Sequence, residues 1–512
     1  MVAAGIFLSR IAGLIRQRVL AHFLGLTDAA DAFAAAFRIP NFLQNLFGEG
    51  VLSASFIPVY ARLEAQGRHE ESRRVAGAVA GLLGLAVAAL VALGVTTTPW
   101  LVYALAPGFA GAKRALAIEL VRILFPGVGL LVLTAWCMGV LNSHRKFFLS
   151  YAAPVVWNAA IIAATLLAGR GAASETLVLW AAWGAVAGSL LQLGIQVPRV
   201  WRLTGGIPLS IGGGDPNVRT VLSNFLPAFV TRGAVQISAF IDAILASLLP
   251  TGAVAALANA QTLYTLPVSL FGMSVAAAEL PELSAAAATP ESAHLALRER
   301  LERGMRQVAY FIVPSVVALA ALGQVIAAAI FQTGVFTRAD SRYVWAILAG
   351  SAVGLLASTL GRLYSSAWYA LHDTRTPLRY ALIRVALTTG LGYLAAIQLP
   401  PLVGLAPAWG AAGLTASAGV AGWVEYLLLR RGLDRRIGST RLPAGYVVRL
   451  WAPALAAAAA GWGVLLGLHG RLGPIPTAIL VLAPFAAVYL GGTLLLDVPL
   501  ARELTARLRP RA

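Results

Sequence analysis

Long apolar stretches alternate with short polar connections along the whole chain. A helix that crosses about 30 Å of hydrocarbon needs about 20 apolar residues, because each residue rises 1.5 Å. The pattern therefore predicts an all-α polytopic membrane protein with about fourteen transmembrane helices. The predicted spans are residues 2–24, 32–62, 75–105, 117–143, 150–168, 176–201, 218–249, 252–287, 304–331, 343–371, 378–399, 405–431, 446–469 and 475–499.

Two pairs of similar segments, each six spans apart, indicate an internal repeat. The Leu-Phe-Gly of residues 46–48 recurs at 270–272, and residues 141–145 resemble 371–375. Six intervening spans preserve orientation, so the repeat is parallel, with a pseudo-two-fold axis along the membrane normal. The predicted divisions are an N-terminal six-helix lobe at 1–202, a cytoplasmic linker at 203–216, a C-terminal six-helix lobe at 217–432, and two extra C-terminal helices with a basic tail at 433–512.

Arginine and lysine are concentrated in the connections that follow even-numbered spans. Basic connections face the cytoplasm, which places both termini there. The net charge of +18 is then explained by cytoplasmic loops facing anionic lipid, and no nucleic-acid partner is expected. The sequence has no HExxH motif and no extramembrane segment long enough for a catalytic domain. We therefore predict a transporter without a cofactor, not an enzyme.

Several arginines lie inside the apolar spans, where a charge costs about 2.5–3.5 kcal/mol at the helix centre. Three of them, Arg38, Arg122 and Arg384, are close enough to a span end to snorkel to the interface. The others favour a water-filled cavity or an ion pair, and a cavity lined by arginine predicts an anionic cargo. These candidate cavity residues are Arg10, Arg16, Arg18, Arg232 and Arg362.

Acidic residues and helix breakers add candidates for moving parts. Asp242 in span 7 either binds a cation or pairs with an arginine, and Asp31 either caps span 2 or acts in gating. Glycine and proline interrupt spans 2 and 8, as in the cargo-facing helices of transporters. The alternative is close helix packing by small residues. The interrupting residues are Pro40, Gly48, Gly50, Pro58, Pro267, Gly272 and Pro281.

Four motifs stand near the amino terminus: SRIAGLIR at 9–16, ADAF at 30–33, FRIPN at 37–41 and FGEG at 47–50. Together they resemble the MurJ/MviN family of lipid II flippases. The resemblance continues through residues 106–109, 280–284, 331–336 and 374–377, and it extends over nearly the whole chain.

The resemblance implies a MOP-superfamily fold with alternating access between two lobes, in the bacterial cytoplasmic (inner) membrane. The implied cargo is lipid II or a similar polyprenyl-pyrophosphate lipid, flipped to the periplasmic leaflet for peptidoglycan synthesis. Membrane lipids and the cell-wall synthesis machinery are the implied partners. By motif match, Arg10 and Arg16 hold the pyrophosphate, for which the arginine fork is suited. The gating or structural motif positions are Ser9, Asp31, Pro40, Asn41, Glu49 and Gly50.

The chain departs from the family pattern at several polar positions. Gln44 and Thr262 stand where the family has basic residues, so Arg18 and Arg232 are candidates to compensate. The family's sodium site matches Asp242 and Thr388, but its third position is Gly392, which has no side-chain ligand. Coupling to Na⁺, to H⁺ or to the membrane potential therefore stays open.

Two other interpretations of the sequence are retained. A MATE-like or polysaccharide-lipid exporter of the same superfamily is favoured by the missing basic residues. A non-transport membrane scaffold in cell-wall assembly is the weaker alternative, because a scaffold has no use for charges deep in the membrane.

Overall fold

A computed structural model describes residues 2–45, 51–52, 55–169, 171–210, 214–273, 275, 279, 282–283, 293–468 and 470–508. For residues 2–4, 6, 40–45, 228, 230–239, 273, 293, 504 and 506–508 it describes the backbone alone. Within these ranges the chain is helical apart from short turns, with no strand. The all-α fold class predicted from the apolar pattern is confirmed.

Seventeen α-helices of eight or more residues are described. They are α1 (Val2–Leu24), α2 (Asp28–Asn45), α3 (Ile57–Ala65), α4 (His69–Thr96), α5 (Thr98–Leu105), α6 (Gly111–Ser143), α7 (Phe147–Ala168), α8 (Ser174–Thr204), α9 (Pro216–Ser247), α10 (Ala253–Pro267), α11 (Ala293–Phe331), α12 (Arg338–Ala370), α13 (Arg375–Tyr393), α14 (Gly410–Ile437), α15 (Ala444–Leu468), α16 (Pro474–Leu495) and α17 (Pro499–Leu508). π-Helical turns Val268–Met273 and Leu394–Gln398 continue α10 and α13, the second followed by a helical turn at Leu399–Leu402. A 3₁₀ turn, Pro407–Trp409, precedes α14.

Ten helices in the described ranges are long and apolar enough to cross a membrane, so the chain is a multi-pass membrane protein. They are α4, α6, α7, α8, α11, α12, α13 with its continuation, α14, α15 and α16. The other predicted spans fall on α1, on α2 with α3, on α9, and on α10 with its π-helical turn. α1 is not one of the ten because Arg10, Arg16 and Arg18 interrupt its apolar run.

Helix ends follow local sequence chemistry. Before α12, the Thr337 hydroxyl accepts from the Asp340 N–H and the Asp340 carboxylate accepts from the Thr337 N–H, which makes a capping box. α9 begins with Asp215 as its N-cap and Pro216 in its first turn, where a missing N–H costs nothing. α8 ends at Thr204 with Gly205 as its C-cap, which takes the left-handed conformation that favours glycine.

The chain packs as two compact units. The first comprises Met1–Ala255 with Thr333–Phe336, and the second comprises Ala256–Gln332 with Thr337–Ala512. α9, which the repeat assigns to the second lobe, thus packs with the first unit. A division by packing does not test a division by repeat, so the lobes 1–202 and 217–432 stay a prediction.

Of the two segments predicted to be broken by glycine and proline, the second is interrupted, and the first is described only in part. In the first unit, residues 51–52 are π-helical and Phe56 lies in a turn before α3. In the second unit the helix after Pro267 changes to a π-helical turn, and a Cβ added at Gly272 would lie 2.1 Å from Thr359 Cγ2. Close packing and helix interruption therefore occur together at Gly272. Gly48, Gly50 and Pro281 lie outside the described residues.

The predicted inter-lobe linker lies against α4 within the first unit. A Cβ added at Gly77 would lie 2.1 Å from the Pro208 carbonyl oxygen, and one at Gly81 would lie 2.5 Å from that of Ser210. Arg73 Nη1 also donates to the Gly205 carbonyl at 3.2 Å. Glycine on α4 thus lets the linker backbone approach the helix directly.

In the first unit, α7 and α8 are in close contact through small residues. A Cβ added at Gly184 would lie 2.5 Å from Ala164 Cβ, and one at Gly188 would lie 2.9 Å from the Trp157 carbonyl oxygen. In the second unit, a Cβ added at Gly354 of α12 would lie 2.4 Å from Gly419 Cα of α14. Small residues allow such close helix approach in membranes.

Gly184→Val is expected to destabilise the first unit, because the added side chain has no space between α7 and α8. Overpacking of this kind costs about 1–3 kcal/mol. Gly194→Val, on the same helix with nothing within 4 Å of its Cβ position, is the matched control. Thermal unfolding of the detergent-purified variants measures the difference, and equal melting temperatures would contradict the packing argument.

The two C-terminal helices pack against α11 within the second unit. Tyr310 and Val313 of α11 form one apolar cluster with Leu450 of α15 and with Val481 and Phe485 of α16. The Tyr489 hydroxyl donates to the Tyr310 carbonyl at 2.6 Å, which satisfies a buried polar group. The extra helix pair is therefore an integral part of this unit.

The chain's single cysteine is enclosed in α6. Cys137 is fully buried and is a free thiol. It lies among other buried residues of the same helix, including Trp136 and Val140.

Candidate functional site

The three arginines of α1 have different surroundings. Arg10 is exposed in the middle of an apolar helix, and its neighbour Ser9 is partly buried. Arg18 is partly buried and makes further polar or electrostatic contacts. Arg16 is partly buried where α1 packs along α7. The helix thus presents one open guanidinium, at Arg10, and one that is held inside the unit, at Arg16.

Arg16 is held by three side chains of two other helices. Its Nη1 donates to Asn158 Oδ1 at 3.0 Å. Its guanidinium carbon lies 4.8 Å from the Phe37 ring centroid and 5.4 Å from that of Trp157. Guanidinium on an aromatic face is a favourable cation–π arrangement, strongest where water is excluded. α2 and α7 therefore fix the direction of this charge.

Two of the arginines near span ends interact with acidic residues. Arg38 of α2 interacts electrostatically with Asp242 of α9 in the first unit. Arg384 of α13 donates to Glu425 of α14 at 3.1 Å in the second unit. Asp242 thus lies within electrostatic range of an arginine of α2.

The other basic candidates lie in different settings. Arg362 is exposed on α12, a helix that is otherwise largely buried. Arg232 is placed in α9, but its side chain is outside the described part of the structure. Thr262, where the family has a basic residue, donates its hydroxyl to the Ala258 carbonyl at 3.0 Å in its own helix.

Asp31 is the most enclosed acidic side chain among the candidate site residues that the structure describes, with 1% exposure. Its own helix is capped by Thr27, whose hydroxyl accepts from the Ala30 N–H at 3.3 Å. The Asp31 carboxylate instead accepts from the Gly252 and Ala255 N–H groups, both at 2.8 Å. These donors stand at the start of α10, where unpaired N–H groups and the helix dipole favour a carboxylate. Asp31 therefore caps another helix, not its own.

A lysine completes the contacts of Asp31. Lys113 Nζ lies 2.7 Å from Asp31 Oδ2 and 2.9 Å from Asp28 Oδ1. The Thr251 hydroxyl also donates to Asp28 at 2.8 Å. These hydrogen bonds from Lys113 and Thr251 lower the pKa of the exposed Asp28 carboxyl. We name this cluster, Asp28, Asp31, Lys113, Thr251 and Gly252, the Asp31 latch.

Two further contacts involve the connections around the Asp31 latch. The Val335 N–H donates to the His22 carbonyl at 3.0 Å, and His22 Nδ1 lies 2.9 Å from Thr333 Oγ1. The Gly108 N–H donates to Ser247 Oγ at 3.3 Å. By the predicted orientation, all these connections follow odd-numbered spans and share one side of the membrane.

The remaining predicted residues are only partly described. Pro40 and Asn41 lie in α2 with their backbone alone described, while Glu49 and Gly50 lie outside the described residues. Thr388 is buried in α13 of the second unit. Across the described ranges, no group of three or more His, Cys, Asp or Glu residues is arranged to hold a metal ion. The cation site of Asp242 and Thr388 stays a prediction.

Sequence reasoning did not identify Trp157, Asn158 or the pairing of Lys113 with Asp31. Asn158 could have been recognised from the sequence as a polar amide inside the apolar span 150–168. Buried polar side chains in membranes are expensive and mark functional positions. The partner of such a residue depends on tertiary contacts that no local pattern contains.

Known proteins match this chain over most of its length. The family model described as "Lipid II flippase MurJ" matches residues 20–476, a range that begins after the three arginines of α1. A lipid II flippase MurJ of Burkholderia cenocepacia is 33% identical over 84% of this chain and 82% of its own length. A probable lipid II flippase MurJ of Rhizobium tropici is 31% identical over 98% of this chain and 95% of its own length.

Solved structures share the fold. A lipid II flippase MurJ in an inward closed conformation superposes with a TM-score of 0.79 at 22% identity, over 98% of this chain and 99% of that one. An inward-facing multidrug resistance MATE family transporter of the MOP superfamily gives a TM-score of 0.68 at 17% identity, over 83% and 95% of the two chains. At these identities the likeness concerns the fold alone.

Proposed function

Since the chain belongs to the MurJ family of lipid II flippases, we propose that it moves lipid II across the bacterial cytoplasmic membrane. Its family is one of transporters, so the chain is a transporter and not an enzyme. In this proposal the lipid-linked headgroup enters from the cytoplasmic leaflet and leaves to the periplasmic one. Peptidoglycan precursor supply is the process that this step serves.

The pyrophosphate of the headgroup is the part that the arginines bind. Arg16 supports this role best, because its guanidinium is oriented by Asn158 and by two aromatic rings. Arg10 is exposed within an apolar helix, a costly position that a phosphate partner would compensate. Arg18 and Arg232 are assigned as further cations that bind the headgroup, and the exposed Arg362 of the second unit is kept as a separate candidate.

Alternating access requires contacts that break and re-form at one side of the membrane. The Asp31 latch consists of contacts that can break in this way. The buried Asp31 carboxylate of α2 accepts hydrogen bonds from Lys113 at the start of α6 and from backbone N–H groups at the start of α10. We assign the Asp31 latch as the periplasmic closure that opens when the headgroup is released. In this arrangement both termini and the basic connections are cytoplasmic.

The membrane potential suffices as a driving force in this proposal. An anionic headgroup that leaves a negative cytoplasm gains about 2.3 kcal/mol per charge for each 100 mV. Arg38 interacts electrostatically with Asp242, and its positive charge disfavours a coupling cation at that carboxylate. Coupling to Na⁺ or H⁺ through Asp242 and Thr388 is the alternative.

Reconstitution tests the function. Proteoliposomes that contain the purified chain and lipid II in the inner leaflet are expected to expose the lipid outside, and an inside-negative potential is expected to accelerate its appearance. Undecaprenyl-linked polysaccharide precursors are the competing cargo. Transport of these with no movement of lipid II would identify a polysaccharide-lipid exporter of the same superfamily and reject the proposal.

A further inference from the structure

We infer that Asn158 and Trp157 of α7 position the Arg16 guanidinium so that its free edge takes two oxygens of the pyrophosphate side by side. This inference rests on the proposed function, because it names the groups that prepare Arg16 for its anionic partner. It brings α7 into the headgroup site, to which the sequence motifs contribute only residues of α1 and α2.

The orientation of the Asn158 amide is fixed from both ends. Its Nδ2 donates to the Pro154 carbonyl at 2.9 Å, one turn earlier in α7. Only the oxygen end of an amide can accept a hydrogen bond, and this end then faces Arg16. Asn158 is buried, with 4% exposure, so water does not compete for the contact. The hydrogen bond from Arg16 Nη1 to Asn158 Oδ1 is therefore held in place by the surrounding structure of the first unit.

The two rings limit where the guanidinium can move. Phe37 and Trp157 are stacked, with centroids 5.2 Å apart and an interplanar angle of 25°. Trp157 is itself anchored, because its Nε1 donates to the Ala185 carbonyl of α8 at 3.0 Å. The guanidinium lies against both rings, so a rotation away from them would lose the cation–π contact and the bond to Asn158 together.

One edge of the guanidinium has an unsatisfied donor. Asn158 uses Nη1, whereas Nε is buried and has no hydrogen-bond partner among the described residues. The Nε–H and the Nη2–H beside it point the same way and fit two oxygens of one phosphate group. A buried donor without an acceptor is costly, and an oxyanion at this edge removes that cost.

Binding of two lipid probes by the purified full-length chain tests the inference. The probes are undecaprenyl pyrophosphate and undecaprenyl monophosphate, and the readouts are the two Kd values and their ratio. Asn158→Leu is expected to weaken pyrophosphate binding about tenfold and to reduce the preference over monophosphate, because Arg16 loses its anchor. Asn158→Asp is expected to do the same by neutralising the guanidinium, while it keeps an acceptor for Nη1.

Thr165→Val is the matched control. Thr165 is fully buried on the same helix and donates only to the Ile161 carbonyl one turn earlier, so its variant is expected to bind both probes as the wild type does. If Asn158→Leu does not fold, Asn158→Asp carries the test. Wild-type affinity and preference in the Asn158 variants, with weakened binding in Arg16→Ala, would overturn the inference alone. Wild-type binding by Arg16→Ala would overturn the proposed pyrophosphate site as well.

Discussion

Replacing Arg16 or Arg10 with alanine is expected to abolish complementation of a bacterium depleted of its own flippase, with expression unchanged. For Arg16 the physical reason is the loss of an oriented, desolvated fork, worth about 1.5–3 kcal/mol for a hydrogen bond to a charged group. That corresponds to about ten- to hundredfold weaker headgroup binding. For Arg10 the substitution removes an exposed positive charge of an apolar helix, which is proposed to bind the pyrophosphate. Growth after depletion, with membrane protein quantified by immunoblot, measures the effect.

Arg122→Ala provides the control for charge alone. Arg122 is exposed in α6, within snorkelling distance of a predicted span end, and it has no assigned role in the headgroup site. Its variant is expected to complement. Full complementation by both Arg10→Ala and Arg16→Ala would remove these residues from the proposed site.

Asp31→Leu is expected to destabilise the first unit and to stop transport. The substitution leaves the N–H groups of Gly252 and Ala255 without their acceptor, and it leaves the Lys113 ammonium with the exposed Asp28 alone. Removal of one partner from a buried ion pair costs about 3–5 kcal/mol. Thermal unfolding of the purified chain measures the stability, and lipid II flipping in proteoliposomes measures the function.

The neighbouring carboxylate supplies a close comparison. Asp28 contacts the same lysine, but its side chain is 59% exposed. An exposed ion pair contributes about 0–1 kcal/mol, so Asp28→Asn is expected to leave stability and transport nearly unchanged. Equal losses in the two variants would show that burial of Asp31 is not what gives the latch its strength.

The sequence predicted the architecture well because membrane helices are encoded locally. Twenty apolar residues in a row satisfy their own backbone hydrogen bonds, so each span can be recognised without its neighbours. The change to a π-helical turn after Pro267 was predictable for the same reason, since proline acts on its own helix. The motifs at residues 9–16 and 30–33 then indicated the family that the comparisons show.

The partners of the charged residues were not predictable in this way. The position of Asp31 in the sequence is typical of an N-cap. In the structure Thr27 caps α2, and the Asp31 carboxylate accepts hydrogen bonds at the start of α10. Arg38 was within reach of the interface, yet it interacts with Asp242, some two hundred residues later in the chain. Helix packing decides which carboxylate meets which cation. A single sequence does not contain these pairings.

The burial of Cys137 makes the proposed opening of the Asp31 latch measurable with few substitutions. A thiol with no exposed surface is expected to be inert to maleimide reagents in the folded chain. Reporter groups can then be attached at two new cysteines, for example Ala112→Cys and Leu248→Cys, both exposed positions in the first unit. The distance between such probes, followed as lipid II is added, would distinguish a closed from an open latch in a chain whose native cysteine is retained.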